Sequence, residues 1–209
     1  ALVPDIAEQW ERRTNTRLIE GYGLSESNGN LTLNMPETRC IGTVGKAMGF
    51  QDIKLVDQSG QQVADGEEGE VVAKAPQVMK GYWNRSDETA KVMTPDGFFR
   101  TGDIGVRLPS GAIKIVDRLK DMVIVSGFNV YPNEVEDVLT RHSLINEAAV
   151  IGEPDDRTGE KVCAYITTAS DLDDSQVIAH CREFLTAYKV PKKVVILEEL
   201  PKSRVGKIL

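Results

Sequence analysis

Residues 96–136 read DGFFRTGDIGVRLPSGAIKIVDRLKDMVIVSGFNVYPNEVE. Two apolar β-like runs, AIKIV at 112–116 and MVIV at 122–125, flank the charged segment Arg118-Leu119-Lys120-Asp121. Ahead of them, Thr101-Gly102-Asp103 sets a carboxylate beside a glycine, just after the aromatic pair Phe98-Phe99. Beyond them, Ser126-Gly127-Phe128-Asn129 interrupts the second run with a residue that lets another backbone or a ligand come close. Taken singly, TGD reads as a turn, because Gly and Asp are turn residues, and RLKD as a solvated linker. The chain before this stretch reads as one kind of structure and the chain after it as another.

Working towards the N-terminus, residues 41–116 read as all-β. Turn signals recur at Gly45, Gly49, Ser59-Gly60, Gly66, Gly69, Gly81, Gly97 and Ser110-Gly111. Short β-like runs lie between them at 52–56, 70–75 and 112–116, with a turn or two of helix at 87–92. That spacing predicts a small β-barrel or bent sheet. Gly81-Tyr82-Trp83 is expected to place its two aromatics in the core of that barrel. Further back, residues 4–15 predict an amphipathic helix with Ile6 and Trp10 on one face, and 16–20 a short strand. GYGLSE at 21–26 follows. Its glycines admit a close backbone, Ser25 can donate to a phosphoryl oxygen, and Glu26 can hold a magnesium ion that bridges phosphates. A plain turn is the competing reading.

Working towards the C-terminus, the pattern predicts a strand at 122–126, a helix at 133–141, strands at 147–152 and 161–167, a helix at 175–187 and a strand at 193–198. Asn133, after Pro132, is a candidate N-cap. Val135, Val138, Leu139 and His142 give the first helix one face; Val177, Ile178, Cys181, Phe184 and Leu185 give the second another. The expected unit is α+β, with both helices on one face of a small sheet. Residues 155–160 form a polar loop with no evident chemistry. The chain closes on PKSRVGKIL.

The 209 residues suffice for one large domain or two modest ones, and 41% hydrophobic and 27% charged residues are ordinary for a globular protein. A net charge of −7 argues against nucleic acid as a partner and against general attraction to an anionic membrane. No apolar run approaches the ~20 residues that span a bilayer, and no signal peptide is evident. Cys40, Cys163 and Cys181 make no CxxC pair, so reduced thiols in a cytoplasmic protein are expected. Both His142 and His180 are read as structural.

GYGLSE (21–26), GYW (81–83), TGD (101–103), DRLKD (117–121), VSGFNVYPNEVE (125–136) and PKSRVGK (201–207) occur in this order. In sequence and spacing they resemble the adenylate-forming (AMP-binding) acyl-CoA synthetases, and among these the bacterial long-chain fatty acid–CoA ligases. The resemblance covers essentially the whole chain, and residues 96–120 are similar to the family's fatty-acid signature segment. It implies a multi-domain α and β fold: the C-terminal part of a large AMP-binding domain with its β-barrel subdomain at 1–117, a hinge at 118–120, and a mobile α+β domain at 121–209, truncated at its end. It implies that Tyr22 lies near adenine beside Gly23, that Ser25 contacts phosphate and that Glu26 holds Mg2+. Asp103 would take the ribose hydroxyls, Arg118 ribose and phosphate, and Ile115 the pocket wall. Lys120 would be the hinge, Lys207 would reach carboxylate and α-phosphate, and Gly127 would line the pantetheine path.

The implied reaction joins a fatty acid to coenzyme A: ATP and the acid give acyl-adenylate and pyrophosphate, and the CoA thiol then releases AMP. ATP, fatty acid and CoA are the implied small-molecule partners; peripheral membrane association and a homodimer stay open. A glycine-, serine- and threonine-rich phosphate loop of the family's kind is not found in the sequence, so a C-terminal fragment without acyl-CoA synthesis of its own is expected. Two other readings stand: a short-chain or aryl-CoA ligase, or another adenylate-forming enzyme, against which the signature segment argues; and a non-catalytic nucleotide-binding module, which would leave Asp103, Arg118 and Lys207 idle.

Overall fold

The computed structural model describes residues 4–204, 206, 208 and 209; Lys207 lies outside them. The chain divides into two compact units, residues 1–119 and 120–209.

The first unit opens with α1 (Pro4–Thr14), which ends where Asn15 turns left-handed at φ 53° and returns its N–H to the Glu11 carbonyl. Its inward face is not the expected one. Ala7 is buried and Glu11 pairs with Arg39, while Ile6 and Trp10 stay exposed. Glu11 also accepts the Leu18 N–H at 2.8 Å, and residues 16–20 stay irregular rather than forming a strand.

The first strand falls one segment later, on the GYGLSE motif itself. β1 (Gly21–Leu24) and β2 (Gly29–Leu33) form an antiparallel hairpin joined by a 3-10 turn at Ser25–Ser27, and β3 (Lys46–Ala47) pairs with β2. A meander follows, made of β4 (Asp52–Val56), β5 (Glu68–Lys74), β6 (Phe99–Arg107) and β7 (Ile113–Arg118), with α2 (Ser86–Val92) between β5 and β6. Strand order is β4-β5-β6-β7, and no closed barrel forms among the described residues. The outer edge of β7 is instead bonded by the loop before β3: Val44 N donates to Ile113 O and Ile113 N to Gly45 O, both at 2.8 Å. The two sheets share one core, in which Leu31 and Val44 meet Ile53, Leu55, Val71, Ala73 and Ile113.

The second unit builds a mixed sheet around β11. β8 (Val123–Val125) and β9 (Phe128–Val130) form a tight hairpin, followed by α3 (Pro132–Thr140), β10 (Ile145–Asp155), β11 (Gly159–Thr168), α4 (Asp174–Phe184) and β12 (Lys193–Ile196). β10 and β11 pair antiparallel over their whole length, β8 meets the start of β11, and β12 runs parallel to its middle. Both helices pack on this sheet and on each other: Val135, Val138 and Leu139 of α3 and Val177 and Cys181 of α4 are buried with Val150, Val162, Ala164 and Ile166.

Three details depart from the sequence reading. Tyr131 takes the N-cap position, with Pro132 and not Asn133 opening α3. α4 stops at Phe184 because Leu185 goes extended (φ −115°, ψ 145°) to enter the core, and Phe184 stays exposed. The break at Ser126-Gly127 is a hairpin turn, so β9 exists where none was expected. His142 and His180 meet edge to face at 5.0 Å, and His180 Nε2 bonds the Val138 carbonyl at 2.9 Å, both structural contacts at the helix pair. No described helix is long and apolar enough to cross a membrane.

Candidate functional site

Asp103 is the centre of the strongest cluster of predicted residues. It lies inside β6 rather than in a free turn. In the β5–β6 register Glu70 pairs with Ile104 and Val72 with Arg100, so Thr101, Gly102 and Asp103 all stand opposite Val71. The extra residues form a bulge, a device that re-aims a side chain without breaking the sheet. Gly102 sits at φ 72°, which explains the glycine. The Thr101 hydroxyl pins the bulge from within, donating to Val71 O at 2.7 Å and accepting from Asp103 N at 3.1 Å.

The re-aimed carboxylate is buried, at 7% exposure. Tyr22 of β1 donates its hydroxyl to Asp103 Oδ2 at 2.6 Å. Arg118 faces Asp103 directly across the β6–β7 pair, with Nε 3.5 Å from Oδ1. A carboxylate has about four acceptor sites, so these neighbours leave room for further donors. Burial, and then the bond to Asp103, push the Tyr22 phenol far above its ordinary range and keep it neutral. Ile115 is half-buried and packs on the same cluster as Tyr22. Arg118 itself is half-exposed.

Gly23 serves the fold. A Cβ there would lie 2.1 Å from the Gly29 carbonyl oxygen, so the β1–β2 hairpin itself demands glycine. Ser25 is exposed on the turn. Ser27, which the sequence reading passed over, is the buried staple: its hydroxyl accepts from Leu24 N at 2.9 Å and reaches Gly29 O at 2.7 Å. Only its position after the motif hinted at that.

Glu26 is placed by a residue expected elsewhere. Tyr82 and Trp83 do not fill a barrel core; Trp83 is 89% exposed. Tyr82 donates its hydroxyl to Glu26 Oε1 at 2.9 Å, and Met79 N donates to the Glu26 carbonyl at 2.7 Å. Burial, and then the Glu26 carboxylate, raise the Tyr82 pKa. Among the described residues no cluster of three or more His, Cys, Asp or Glu could hold a metal by itself. A lone carboxylate fits Mg2+ where phosphates supply the other ligands.

In the second unit Gly127 follows Ser126 at the β8–β9 turn. Both are left-handed, at φ 83° and 52°, the pattern of a type I′ hairpin. The turn therefore requires a glycine, and an added Cβ would meet no atom within 4 Å. Lys120 is exposed at the start of this unit.

Residues 1–83 match the model described as AMP-binding enzyme, and 134–207 match the AMP-binding enzyme C-terminal domain. The chain belongs to the AMP-binding enzyme family. Among curated relatives it is 47% identical over 206 residues to a long-chain-fatty-acid–CoA ligase of Salmonella typhimurium, covering 98% of this chain and 36% of that protein. It is 41% identical over 209 residues to a feruloyl-CoA synthase of Amycolatopsis, covering 98% of this chain and 42% of that protein. Among solved structures it is similar to ATP-bound MatB of Rhodopseudomonas palustris, with a TM-score of 0.93 and 34% identity over 99% of this chain and 42% of that one. The chain thus spans between a third and a half of the length of these family members.

Proposed function

We propose that the protein is a long-chain fatty acid–CoA ligase and that Tyr22, Asp103 and Arg118 grip the nucleotide. The observation that carries this reading is the convergence of Tyr22 and Arg118 on the buried Asp103 carboxylate. Asp103 accepts the vicinal ribose hydroxyls on its remaining acceptor sites, and Arg118 adds fixed donors to ribose and phosphate. Tyr22 holds Asp103 and carries its ring beside the adenine. Ser25, exposed on the turn, donates to a phosphoryl oxygen. Glu26, oriented by Tyr82, would hold Mg2+, which when bound offsets the negative charge of the phosphates.

Adenylation needs the fatty-acid carboxylate to attack the α-phosphorus while pyrophosphate leaves. Lys207 supplies a cation to both anions at that moment. The CoA thiol then attacks the acyl carbonyl and AMP departs, with Gly127 lining the pantetheine path. Lys120 is the swivel between two arrangements of the units, one presenting Lys207 and the other Gly127. The chemistry is electrostatic and positional and involves no covalent enzyme intermediate.

The test is ATP–pyrophosphate exchange and thioester formation by the full-length protein, with acids of graded length. Activity on long-chain acids that falls about a hundredfold or more in Asp103→Ala supports the reading. An enzyme that prefers short or aromatic acids favours the aryl-CoA alternative, which the feruloyl-CoA synthase relative keeps in play. Exchange unaffected by both Asp103→Ala and Lys207→Ala sinks the nucleotide site altogether.

A further inference from the structure

The β5 row beside the bulge contains one residue out of character. Val71, Val72 and Ala73 are buried and apolar, as a strand packed between layers should be, yet Glu70 next to them is a carboxylate at only 7% exposure. Taking a carboxylate out of water is costly unless its partners are well placed. Glu70 has two, and both lie in the stretch of β6 just before Asp103. Its Oε2 accepts from Arg100 Nη1 at 2.7 Å, and its Oε1 accepts the Gly102 N–H at 3.2 Å. The bulge turns that N–H out of the strand ladder, where a buried donor without an acceptor would be destabilising. The next peptide is also held: Gly102 O accepts from Leu119 N at 2.7 Å.

We infer that Glu70 is a positioning residue for the site: its buried carboxylate holds the Thr101–Asp103 bulge in the shape that presents Asp103 to a ribose. The inference rests on the reading of Asp103 as the ribose contact. Glu70 touches no substrate; it acts on Asp103 through the Gly102 backbone and the Arg100 side chain. An apolar residue of similar size would fit the row but would release the bulge. Asp103 would then lose its aim.

The readout is the preference of the full-length protein for ATP over 2′,3′-dideoxy-ATP in fatty-acid-dependent pyrophosphate exchange. General damage to the fold lowers use of both nucleotides together, whereas a misaimed Asp103 narrows the ratio between them. Glu70→Ala is expected to cut that preference about tenfold, the loss of one charged hydrogen bond. The KM for fatty acid should stay within about twofold, because the bulge is read here as serving the nucleotide. Glu70→Gln keeps the length and an acceptor for the Gly102 N–H, and it should restore most of the preference. If Glu70→Ala fails to fold, Glu70→Asp, which is too short to span both partners, decides by the same criterion. An undiminished preference in these variants, where Asp103→Ala loses it, overturns the role of Glu70 and leaves the ribose reading standing. A preference that survives in Asp103→Ala overturns the ribose reading and the inference with it.

Discussion

The hydroxyl of Tyr22 and the carboxylate of Asp103 meet at 2.6 Å, joining the first hairpin of the chain to a bulged strand far along it. Strands β1 and β6 belong to different sheets, and this bond ties the sheets together at the candidate site. Tyr22→Phe removes the donor and keeps the ring. The expected cost is about 1 kcal/mol in urea unfolding. Because the folded-state pKa of Tyr22 is raised, its contribution is fully present below the unfolded value of 10.0 and is lost as pH rises above it. The alkaline decline in stability should therefore be shallower in Tyr22→Phe than in the parent. An equal decline would remove this bond from the account.

Tyr82 orients Glu26 from outside any core. Tyr82→Phe should change stability by no more than about 0.5 kcal/mol, since the ring is partly exposed. It should nonetheless raise the magnesium requirement of pyrophosphate exchange about tenfold, as loss of an orienting partner does at a metal ligand. A magnesium titration of the two proteins decides; coincident curves would mean that Tyr82 does not orient the ligand.

The Ser126-Gly127 turn carries a serine in left-handed backbone. Asparagine adopts that conformation more readily, so Ser126→Asn should stabilise the second unit by up to about 1 kcal/mol. Gly127→Ala should destabilise it by about 1–2 kcal/mol, through backbone strain alone, because the space around it is open. Chemical denaturation of the two variants should give shifts of opposite sign.

Glu153 faces the side of the second sheet away from the helices. Lys193 and Tyr165 donate to its Oε1 at 2.7 and 3.0 Å, and Lys161 lies 3.6 Å from Oε2. Led by the Lys193 bond, these neighbours hold its pKa at about 2, below the ordinary 4.5. A depressed carboxylate stabilises the fold above its unfolded pKa and loses that contribution as pH falls towards the folded value. Stability should drop between about pH 4.5 and 2, and Glu153→Gln should flatten that drop. Urea melts across this range provide the measurement.

The second unit was readable because its signals agree. Period-2 runs at 147–152 and 161–167 and helical faces at 135–139 and 177–181 each say one thing, and the core buries those residues. The first unit was harder. Gly21 and Gly23 read as loop residues, yet they sit in β1, where the close approach of the Gly29 backbone leaves Gly23 no room for a side chain. TGD read as a turn because a bulge uses turn residues inside a strand, and only the pairing of β5 with β6 reveals which it is. Ile6 and Trp10 misled because helical periodicity marks an apolar face without saying what covers it. Of the candidate site, Tyr22, Asp103 and Arg118 were legible as motif residues, but their convergence depends on long-range register. Glu70 carried no local signal: a glutamate after glycine looks like any surface residue until Gly102 is seen beside it. Tyr82 was read as a barrel-core aromatic, because an aromatic pair after a glycine signals burial and not the distant Glu26 that it meets.

The parallel pairing of β12 with β11 has a consequence for synthesis. On one edge residues 163–166 pair with β10, but on the other they find their partners in 193–196, after α4 has been made. A nascent chain halted before Lys193 exposes that stretch of β11 as a bare edge, open to any passing strand. That edge stays open until residues 193–196 have been made, well after β10 has closed the other edge of β11.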